Sequence, residues 1–301
     1  MEDFALAFMN KNMERNLKEF RKITWIDGTR GTNARNWDIT VVLVKDENNI
    51  GFPVSFLISN MLDQTVQKIF FSSLRTRIGE DIDADYIMTD DDIKYFNAWC
   101  QAMGSVTKPR KLLCSWHVIK NWNIQGRNKL KYPEIKKQMK YRMRKILRET
   151  DWTTFLKLKE DYFKDLEKEG ENEFLKYLMN HYFQTEKRIK MWSYCHRVNT
   201  GIKTNMAIES LNKVLKHNKM RGNQNIRIEK LLDLLEELVN DKMWKKIIET
   251  ERPTANSYQS RTNREAHLKA ENEDLDKVVC FRIRGFQSSI KFVRQRVHCF
   301  I

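Results

Sequence analysis

Three short apolar runs follow one another near the start of the chain, and their spacing constrains the fold more than any other feature. They span residues 23–27, 38–44 and 52–58 and are rich in β-branched and aromatic side chains. Runs of this kind predict buried strands. The intervals suit hairpins, and Asn48-Asn49 marks one turn, so we expect an antiparallel meander. A short amphipathic helix is predicted ahead of the meander, over residues 3–21.

Helical periodicity then alternates with two further strands. Apolar spacing predicts helices over 61–78 and 93–103, and short apolar runs predict strands over 85–89 and 111–114. Nearly all of 118–250 has helical periodicity, with most of its aromatic residues as the core anchors of a helical bundle. The expected anchors include Trp122, Tyr132, Tyr141, Phe155, Tyr182 and Trp192. This order predicts an α/β fold of the ribonuclease H-like kind, with a mixed five-stranded sheet whose first strand lies beside the fourth.

Two acidic residues stand at strand ends in this order. Asp27 closes the first strand and Asp90 follows the fourth, so a shared sheet edge would bring the two carboxylates together. Taken singly, Asp27 also suits a turn before Gly28, and Asp90 also suits a helix N-cap. Their joint placement favours a metal site, because clustered carboxylates supply the hard oxygen ligands of divalent cations.

Four short sequence blocks contain Asp27 and Asp90 or follow them along the chain. In chain order they are Asp27-Gly28-Thr29, Thr89-Asp90 with Asn97-Ala98, Cys114-Ser115-Trp116-His117, and Glu209-Ser210 with Asn212. The set resembles the Mutator-like element transposases and, more distantly, the hAT transposases. That family has Asp-Gly-Thr at its first acid, Thr-Asp before an Asn-Ala pair at its second, Cys-x-x-His after the fifth strand, and Glu-Ser ahead of an Asn at its third. The resemblance covers residues 23–216.

The resemblance implies a DDE-type DNA transposase, an enzyme that cleaves DNA strands and transfers them. It carries the catalytic, metal-binding acids onto Asp27, Asp90 and Glu209, with Mg²⁺ or Mn²⁺ in a two-metal site. It gives His117 a role in positioning the scissile phosphate. Double-stranded DNA, as transposon ends and target, is the implied partner, and a homo-oligomer is left open.

The resemblance also implies a domain organisation. The ribonuclease H-like core would comprise 1–117 and 199–250, and an all-helical insertion over 118–198 would precede the last acid. After the core, 251–275 lacks apolar periodicity and predicts a polar linker. The apolar and basic tail over 276–301 suggests a truncated further domain.

Two features depart from the family pattern. Asp90 is followed by Asp91 and Asp92, where a Gly is common after the first Asp. Asp91 could therefore be mistaken for the ligand in place of Asp90, and the extra charges suit the cap of the next helix. An N-terminal DNA-binding domain and a C-terminal zinc domain of the SWIM type are not recognisable, so we expect either a fragment or a degenerate, domesticated copy.

Cys114 and His117 have the spacing of half a zinc site. Cys195-His196 is the candidate for the other half, but adjacent residues rarely ligate one zinc in good geometry. A structural zinc is therefore not expected, and Cys114 is expected to pack at the strand end. The five cysteines are odd in number and scattered. With no secretory signal, they predict a reducing compartment, and the resemblance implies the nucleus.

The chain is strongly basic. It has 55 Lys and Arg against 40 Asp and Glu, a formal net charge of +15. This excess predicts a polyanionic partner, either nucleic acid or a membrane surface. No apolar run approaches the roughly 20 residues of a membrane span. Between residues 129 and 148, nine basic residues accompany one acid, which fits either phosphate contacts or a solvated helix face. The predicted DNA-binding residues are Lys129, Lys131, Lys136, Lys137, Lys140, Arg142, Arg144, Lys145, Lys213 and Lys216.

The sequence leaves three functions to compare. The first is a Mg²⁺- or Mn²⁺-dependent transposase, which the three retained acids favour. The second is a catalytically inactive, transposase-derived protein that binds DNA or serves as a scaffold. The third is another ribonuclease H-like nuclease, against which the Cys-x-x-His block and the long helical insertion both argue.

Overall fold

The chain divides into two compact units, residues 1–242 and 243–301. The computed structural model describes residues 3–46, 50–104, 108–198, 206–251, 279–280 and 292–293. In the second unit, Val279–Cys280 and Phe292–Val293 pair as short antiparallel strands. The rest of the predicted tail, and the predicted linker beyond Glu251, lie outside the described residues. Among the helices that are described, none is long and apolar enough to cross a membrane.

The first unit contains a mixed six-stranded sheet. Its strands are β1 (Ala5–Phe8), β2 (Ile23–Thr29), β3 (Asp38–Lys45), β4 (Gly51–Ser59), β5 (Tyr86–Thr89) and β6 (Arg110–Leu113). Their order across the sheet is β1-β4-β3-β2-β5-β6. Strands β2, β3 and β4 form the predicted antiparallel meander, and β5 and β6 extend it as parallel strands on the β2 side. The first predicted strand, β2, therefore lies beside the fourth, β5, as expected.

The prediction of a five-stranded sheet, with a helix over residues 3–21, is wrong at the N-terminus. Ala5–Phe8 is a strand that pairs with β4, and helix α1 (Lys11–Phe20) begins only after it. The side chain of Asn10 accepts hydrogen bonds from two backbone N–H groups of the first turn, which fixes the helix start. Strand β1 also satisfies backbone groups that an open edge of β4 would leave unpaired.

A bulge interrupts the pairing of β3 with β4. The register shifts between Val42 and Leu43, where β4 contains Pro53. Proline has no N–H to donate to a sheet, so a bulge at this position avoids a missing hydrogen bond within an otherwise buried strand pair.

The remaining helices lie where helical periodicity predicts them, and the first two keep to the predicted spans 61–78 and 93–103 within about three residues. They are α2 (Gln64–Ile78), α3 (Lys94–Ala102), α4 (Ser115–Lys129), α5 (Pro133–Arg148), α6 (Trp152–Lys168), α7 (Asn172–His181), α8 (Glu186–Lys190), α9 (Met206–Lys213) and α10 (Ile228–Glu251). Helix α9 continues as a π-helical segment, Val214–Lys219. Helices α4 to α8 belong to the same compact unit as the sheet.

An aromatic cluster forms the core of helices α4 to α8, as predicted. The rings of Trp122 and Trp192 meet edge to face with centroids 5.3 Å apart, and Trp192 donates a hydrogen bond to the backbone carbonyl of Tyr182. Tyr132 and Tyr141 are exceptions to this pattern, since 51% and 71% of their surfaces are exposed. The core face of α5 is formed instead by Met139, Met143, Ile146 and Leu147.

Glu171 is a buried acid that fixes the turn before α5. Its carboxylate accepts hydrogen bonds from the backbone N–H groups of Lys131 and Tyr132, at 2.9 and 3.2 Å. We expect Glu171→Ala to lower the free energy of unfolding by about 2–4 kcal/mol, because two N–H groups lose a charged acceptor. Urea denaturation measures this change. The exposed Glu173→Ala is the control and should stay within about 0.5 kcal/mol of wild type. Equal effects of the two variants would contradict the capping role.

Candidate metal centre

Neighbouring parallel strands bring the predicted acids to one edge of the sheet. Trp25 of β2 pairs with Met88 of β5, and Asp27 and Asp90 each lie two residues further along their strands. His117 lies in the first turn of α4, the helix that directly follows the next parallel strand, β6. The carboxyl ends of β2, β5 and β6 therefore place all three residues at the same edge.

Glu209 approaches this edge from helix α9, which packs against β2. Gly51, at the start of β4, permits a close approach of the same helix. A Cβ atom added to Gly51 would lie 2.7 Å from the Cβ atom of Ala207, two residues before Glu209. Any larger residue at position 51 would displace α9, so this glycine helps set the distance of Glu209 from the sheet.

Asp27, His117 and Glu209 form a compact group of metal-ligating side chains. Each offers one ligand atom, and these atoms all lie within 4.8 Å of one another. The Nε2 atom of His117 is 3.5 Å from Oε1 of Glu209. Asp27 is buried, whereas the other two are partly exposed. Within the described parts of the chain, this is the one group of three or more His, Cys, Asp and Glu residues whose ligand atoms lie within such a short distance of one another. Two carboxylates and an imidazole suit a divalent cation.

Asp90 lies close to this group but outside it. Burial raises the pKa of the Asp90 carboxyl, and the charge of Asp92 raises it further, while His117 and Lys111 oppose the shift. Its Oδ1 atom accepts a hydrogen bond from the backbone N–H of Asp92 at 3.1 Å. The carboxylate is therefore near enough to interact electrostatically with His117, although its oxygens do not join the ligand atoms of the group.

The two acids after Asp90 have other partners. Both carboxylate oxygens of Asp91 lie 2.7 Å from Nη2 of Arg188, in helix α8. Asp92 accepts a hydrogen bond from the backbone N–H of Lys94, the first residue of α3, although the N-cap position itself is Ile93, whose side chain makes no capping hydrogen bond. The ion pair with Arg188 directs Asp91 towards the helices, which argues against Asp91 as the competing ligand.

His117 is held in a form that can act as a ligand. Burial lowers the pKa of its imidazole, and this outweighs the opposing charges of Glu209 and Asp90. A lowered pKa keeps the ring neutral at physiological pH, with a lone pair on one nitrogen. Among the described residues, the buried Nδ1 atom has no hydrogen-bond partner.

Tyr95 belongs to the surroundings of the site and was not predicted from the sequence. It lies in α3 and is almost fully buried. A Cβ atom added to Gly28 would lie 2.5 Å from its hydroxyl oxygen. Burial raises the pKa of the Tyr95 hydroxyl, and the carboxylates of Asp90 and Asp27 add to the shift, so the hydroxyl stays protonated. The glycine directly after the first acid is the sequence signal for this close approach.

No protein-family model matches the chain, and no curated protein matches it either. The resemblance to Mutator-like transposases therefore rests on the four short blocks themselves and stays a prediction. What the chain does must be inferred from its own residues and their geometry.

Cys114, Cys195 and His196, the other candidate zinc ligands, have different surroundings. Cys114 is fully buried at the end of β6. The thiol of Cys195 contacts the hydroxyl of Ser193 at 3.3 Å, and His196 packs on Trp152 with ring centroids 4.9 Å apart. In the part of the chain that the structure describes, these residues do not gather with His117 into a group of three ligands.

Helix α5 presents a basic groove of about 610 Å³. Its lining comprises Lys137, Lys140, Tyr141, Arg144, Lys145, Arg148 and Glu149, which recur along one face of the helix. Arg142 is not part of this lining; it forms an ion pair with Asp165 and lies over the ring of Tyr162. Lys129, Lys131 and Lys136, which were also predicted to contact DNA, do not line the groove.

The lysines after Glu209 lie in two kinds of helix, because the α-helix changes into a π-helix between them. Lys213 ends the α-helical part of α9 and is exposed, whereas Lys216 lies in the π-helical segment and is partly buried. The wider turns of a π-helix change the helical spacing, so Lys213 and Lys216 do not share one face as they would on a continuous α-helix. Lys219, further along the segment, forms ion pairs with Glu237 and Asp241. Lys213 is therefore the member of this set best placed to contact a ligand near Glu209.

Proposed function

We propose that the first unit is a ribonuclease H-like catalytic domain of a DDE-type DNA transposase, similar to those of Mutator-like elements. The observation that carries the proposal is the meeting of Asp27 and Glu209 with His117, beside Asp90, at one sheet edge. The resemblance implies this arrangement of three acids. One lies on a central strand, the second follows the neighbouring parallel strand, and the third lies on a helix that packs against the sheet. The helices between His117 and Glu209 then correspond to the insertion before the last acid.

In this proposal, Asp27, Asp90 and Glu209 hold Mg²⁺ or Mn²⁺. Bound cations would activate the attacking oxygen and stabilise the leaving oxygen of an in-line phosphoryl displacement. Two neighbouring residues, Gly28 and Tyr95, make the site suitable for a cation. The backbone N–H of Gly28 lies 2.9 Å from Oδ1 of Asp27, which helps to fix the carboxylate. The neighbouring hydroxyl of Tyr95 stays protonated and adds no negative charge.

Duplex DNA is the proposed substrate, and the nucleus the proposed location. The net charge of +15 favours a polyanion, and the groove on α5 concentrates five basic residues on one helix face. Contacts from such residues to phosphates would orient the duplex without reading its sequence. The exposed Lys213, one helical turn after Glu209, would contact phosphate close to the reacting bond.

A catalytically inactive DNA-binding protein is the second candidate, and two observations favour it. The basic groove contains none of the three acids, so DNA binding does not depend on a working metal site. In addition, Asp90 stands outside the group of ligand atoms. Such a protein would bind duplex DNA with the same salt dependence but would not cleave it.

A nicking assay on end-labelled duplex DNA tests the proposal. The full chain should nick the duplex with Mg²⁺ or Mn²⁺ and not with EDTA, and Asp90→Asn should reduce the rate by at least about 100-fold. Asp85→Asn is the matched control, because Asp85 is exposed at the opposite end of β5, near Lys22. Nicking that survives Asp90→Asn contradicts the assignment. Duplex binding without metal-dependent nicking by wild type supports the inactive alternative.

A further inference from the structure

His117, rather than Asp90, completes the group of ligand atoms with Asp27 and Glu209. The separation of His117 Nε2 from Glu209 Oε1 is 3.5 Å. This is long for a hydrogen bond between nitrogen and oxygen. It is close to the separation of about 3–3.5 Å between neighbouring ligands that each lie about 2.0–2.2 Å from one ion. The geometry of the pair is therefore that of two ligands facing a shared cation.

We propose that His117 Nε2 is a direct ligand, with Asp27 and Glu209, of one divalent cation, and that the site prefers a transition cation such as Mn²⁺ to Mg²⁺. This deepens the proposed function and rests on it. Mg²⁺ takes oxygen ligands and retains water, whereas imidazole nitrogen suits transition metals. An imidazole beside the two carboxylates of this ion therefore shifts its selectivity away from Mg²⁺.

The surrounding backbone holds His117 in place for this role. The N–H of Cys114 donates to the carbonyl of Thr89, at 3.1 Å, which ties the start of α4 to the end of β5. The buried guanidinium of Arg197 donates to the carbonyl of Leu113, at 2.6 Å, on the other side of the same turn. Because Nδ1 of His117 has no partner among the described residues, a cation at Nε2 would fix the orientation of the ring.

The resemblance implies a different role for His117, namely contact with the scissile phosphate. The two roles differ when no DNA is present. A phosphate-positioning histidine leaves the metal affinity of the protein unchanged on substitution. A ligand histidine contributes a nitrogen to the coordination of the ion, and its loss weakens the binding of transition cations in particular.

Pulsed electron paramagnetic resonance of the full chain with Mn²⁺ alone tests the proposal. The bound ion should show coupling to ¹⁴N, which His117→Gln should abolish. In parallel titrations, wild type should bind Mn²⁺ at least about tenfold more tightly than Mg²⁺. His117→Gln should weaken Mn²⁺ binding by about ten- to a hundredfold and change Mg²⁺ binding by less than about threefold, because glutamine still offers an oxygen. His181→Gln, at an exposed position in α7, is the control and should retain the coupling.

Circular dichroism and thermal unfolding establish that His117→Gln is folded before it is compared. Absence of Mn²⁺ binding, bound Mn²⁺ without nitrogen coupling, or coupling that persists in His117→Gln each overturns the inference. Its failure is distinct from that of the proposed function. Nitrogen coupling without nicking would support the metal site with His117 as a ligand and contradict the assignment as a transposase. Nicking that depends on Asp90, without nitrogen coupling, would support the assignment as a transposase and contradict His117 as a metal ligand.

Discussion

Asp27→Asn is expected to reduce metal-dependent nicking of duplex DNA by at least about 10³-fold, while duplex binding stays intact or becomes stronger. Asp27 is buried on a central strand of the sheet, and its carboxylate is one of the three groups that converge at the site. The amide of asparagine has nearly the same shape but no charge, so it holds a divalent cation poorly. Removing a negative charge beside the DNA also removes a repulsion of the phosphates.

Two measurements on the same preparations separate these effects. Single-turnover nicking with Mn²⁺ reports cleavage, and a binding titration without metal reports affinity for the duplex. Asp63→Asn is the matched control, because Asp63 caps helix α2 and asparagine caps helices equally well. Unchanged cleavage by Asp27→Asn would refute the metal assignment. Equal loss of cleavage and binding would point to a structural role for the carboxylate.

The strands of the sheet were predictable because their signals are local. Strands β2, β3 and β4 are short apolar runs with hairpin-length connections, so both the elements and their antiparallel pairing follow from the sequence. The parallel neighbours β5 and β6 are runs of only four residues, but each stands between two predicted helices. The alternation of helix and strand predicted them where their length alone did not.

The edge strand β1 could not be predicted in the same way. Ala5–Phe8 has too few residues to show a period of its own, and its strand conformation depends on pairing with β4, about 50 residues away. The apolar residues of α1 follow at helical spacing, so one amphipathic helix over both segments fitted the pattern equally well. The cap formed by Asn10 separates them.

The candidate site was predictable in its location but not in the arrangement of its side chains. Strand ends and the resemblance identified Asp27, Asp90, His117 and Glu209, and three of these side chains meet. The register of β2 and β5 is a backbone property, which patterns of residues can indicate. The direction of the Asp90 side chain depends on the turn that follows. In that turn, the backbone N–H of Asp92 donates a hydrogen bond to Asp90, and Arg188 forms an ion pair with Asp91.

Helix α5 shows how residue type can mislead where periodicity does not. Its aromatic ring places Tyr141 among the expected core anchors, although Met139 and Met143 define the buried face of the helix. Counting around a helix of 3.6 residues per turn places Tyr141 opposite that face, among the lysines and arginines. The same count separates Arg142, which pairs with Asp165, from the residues of the basic groove.

The variant Lys137→Glu/Lys140→Glu/Arg144→Glu should weaken duplex DNA binding by about 100-fold or more at low salt. All three side chains are exposed and line the groove on α5, where the one acid is Glu149. Each phosphate neutralised on duplex DNA contributes about −0.9 to the slope of log affinity against log salt, so the slope should flatten by about 2–3. Because phosphates carry no sequence information, the loss should be the same for unrelated duplexes.

Fluorescence anisotropy at several salt concentrations, on two duplexes of unrelated sequence, measures both quantities. The control Lys157→Glu/Lys164→Glu/Lys168→Glu makes the same change in net charge at exposed positions of α6. A general effect of net charge would weaken binding equally in both variants, whereas a bound duplex in the groove affects the α5 variant alone. Loss on only one of the duplexes would mean that the groove reads bases. If neither affinity nor slope changed, α5 would be a solvated basic face, and the duplex would have to approach the candidate metal site from the side of Lys213.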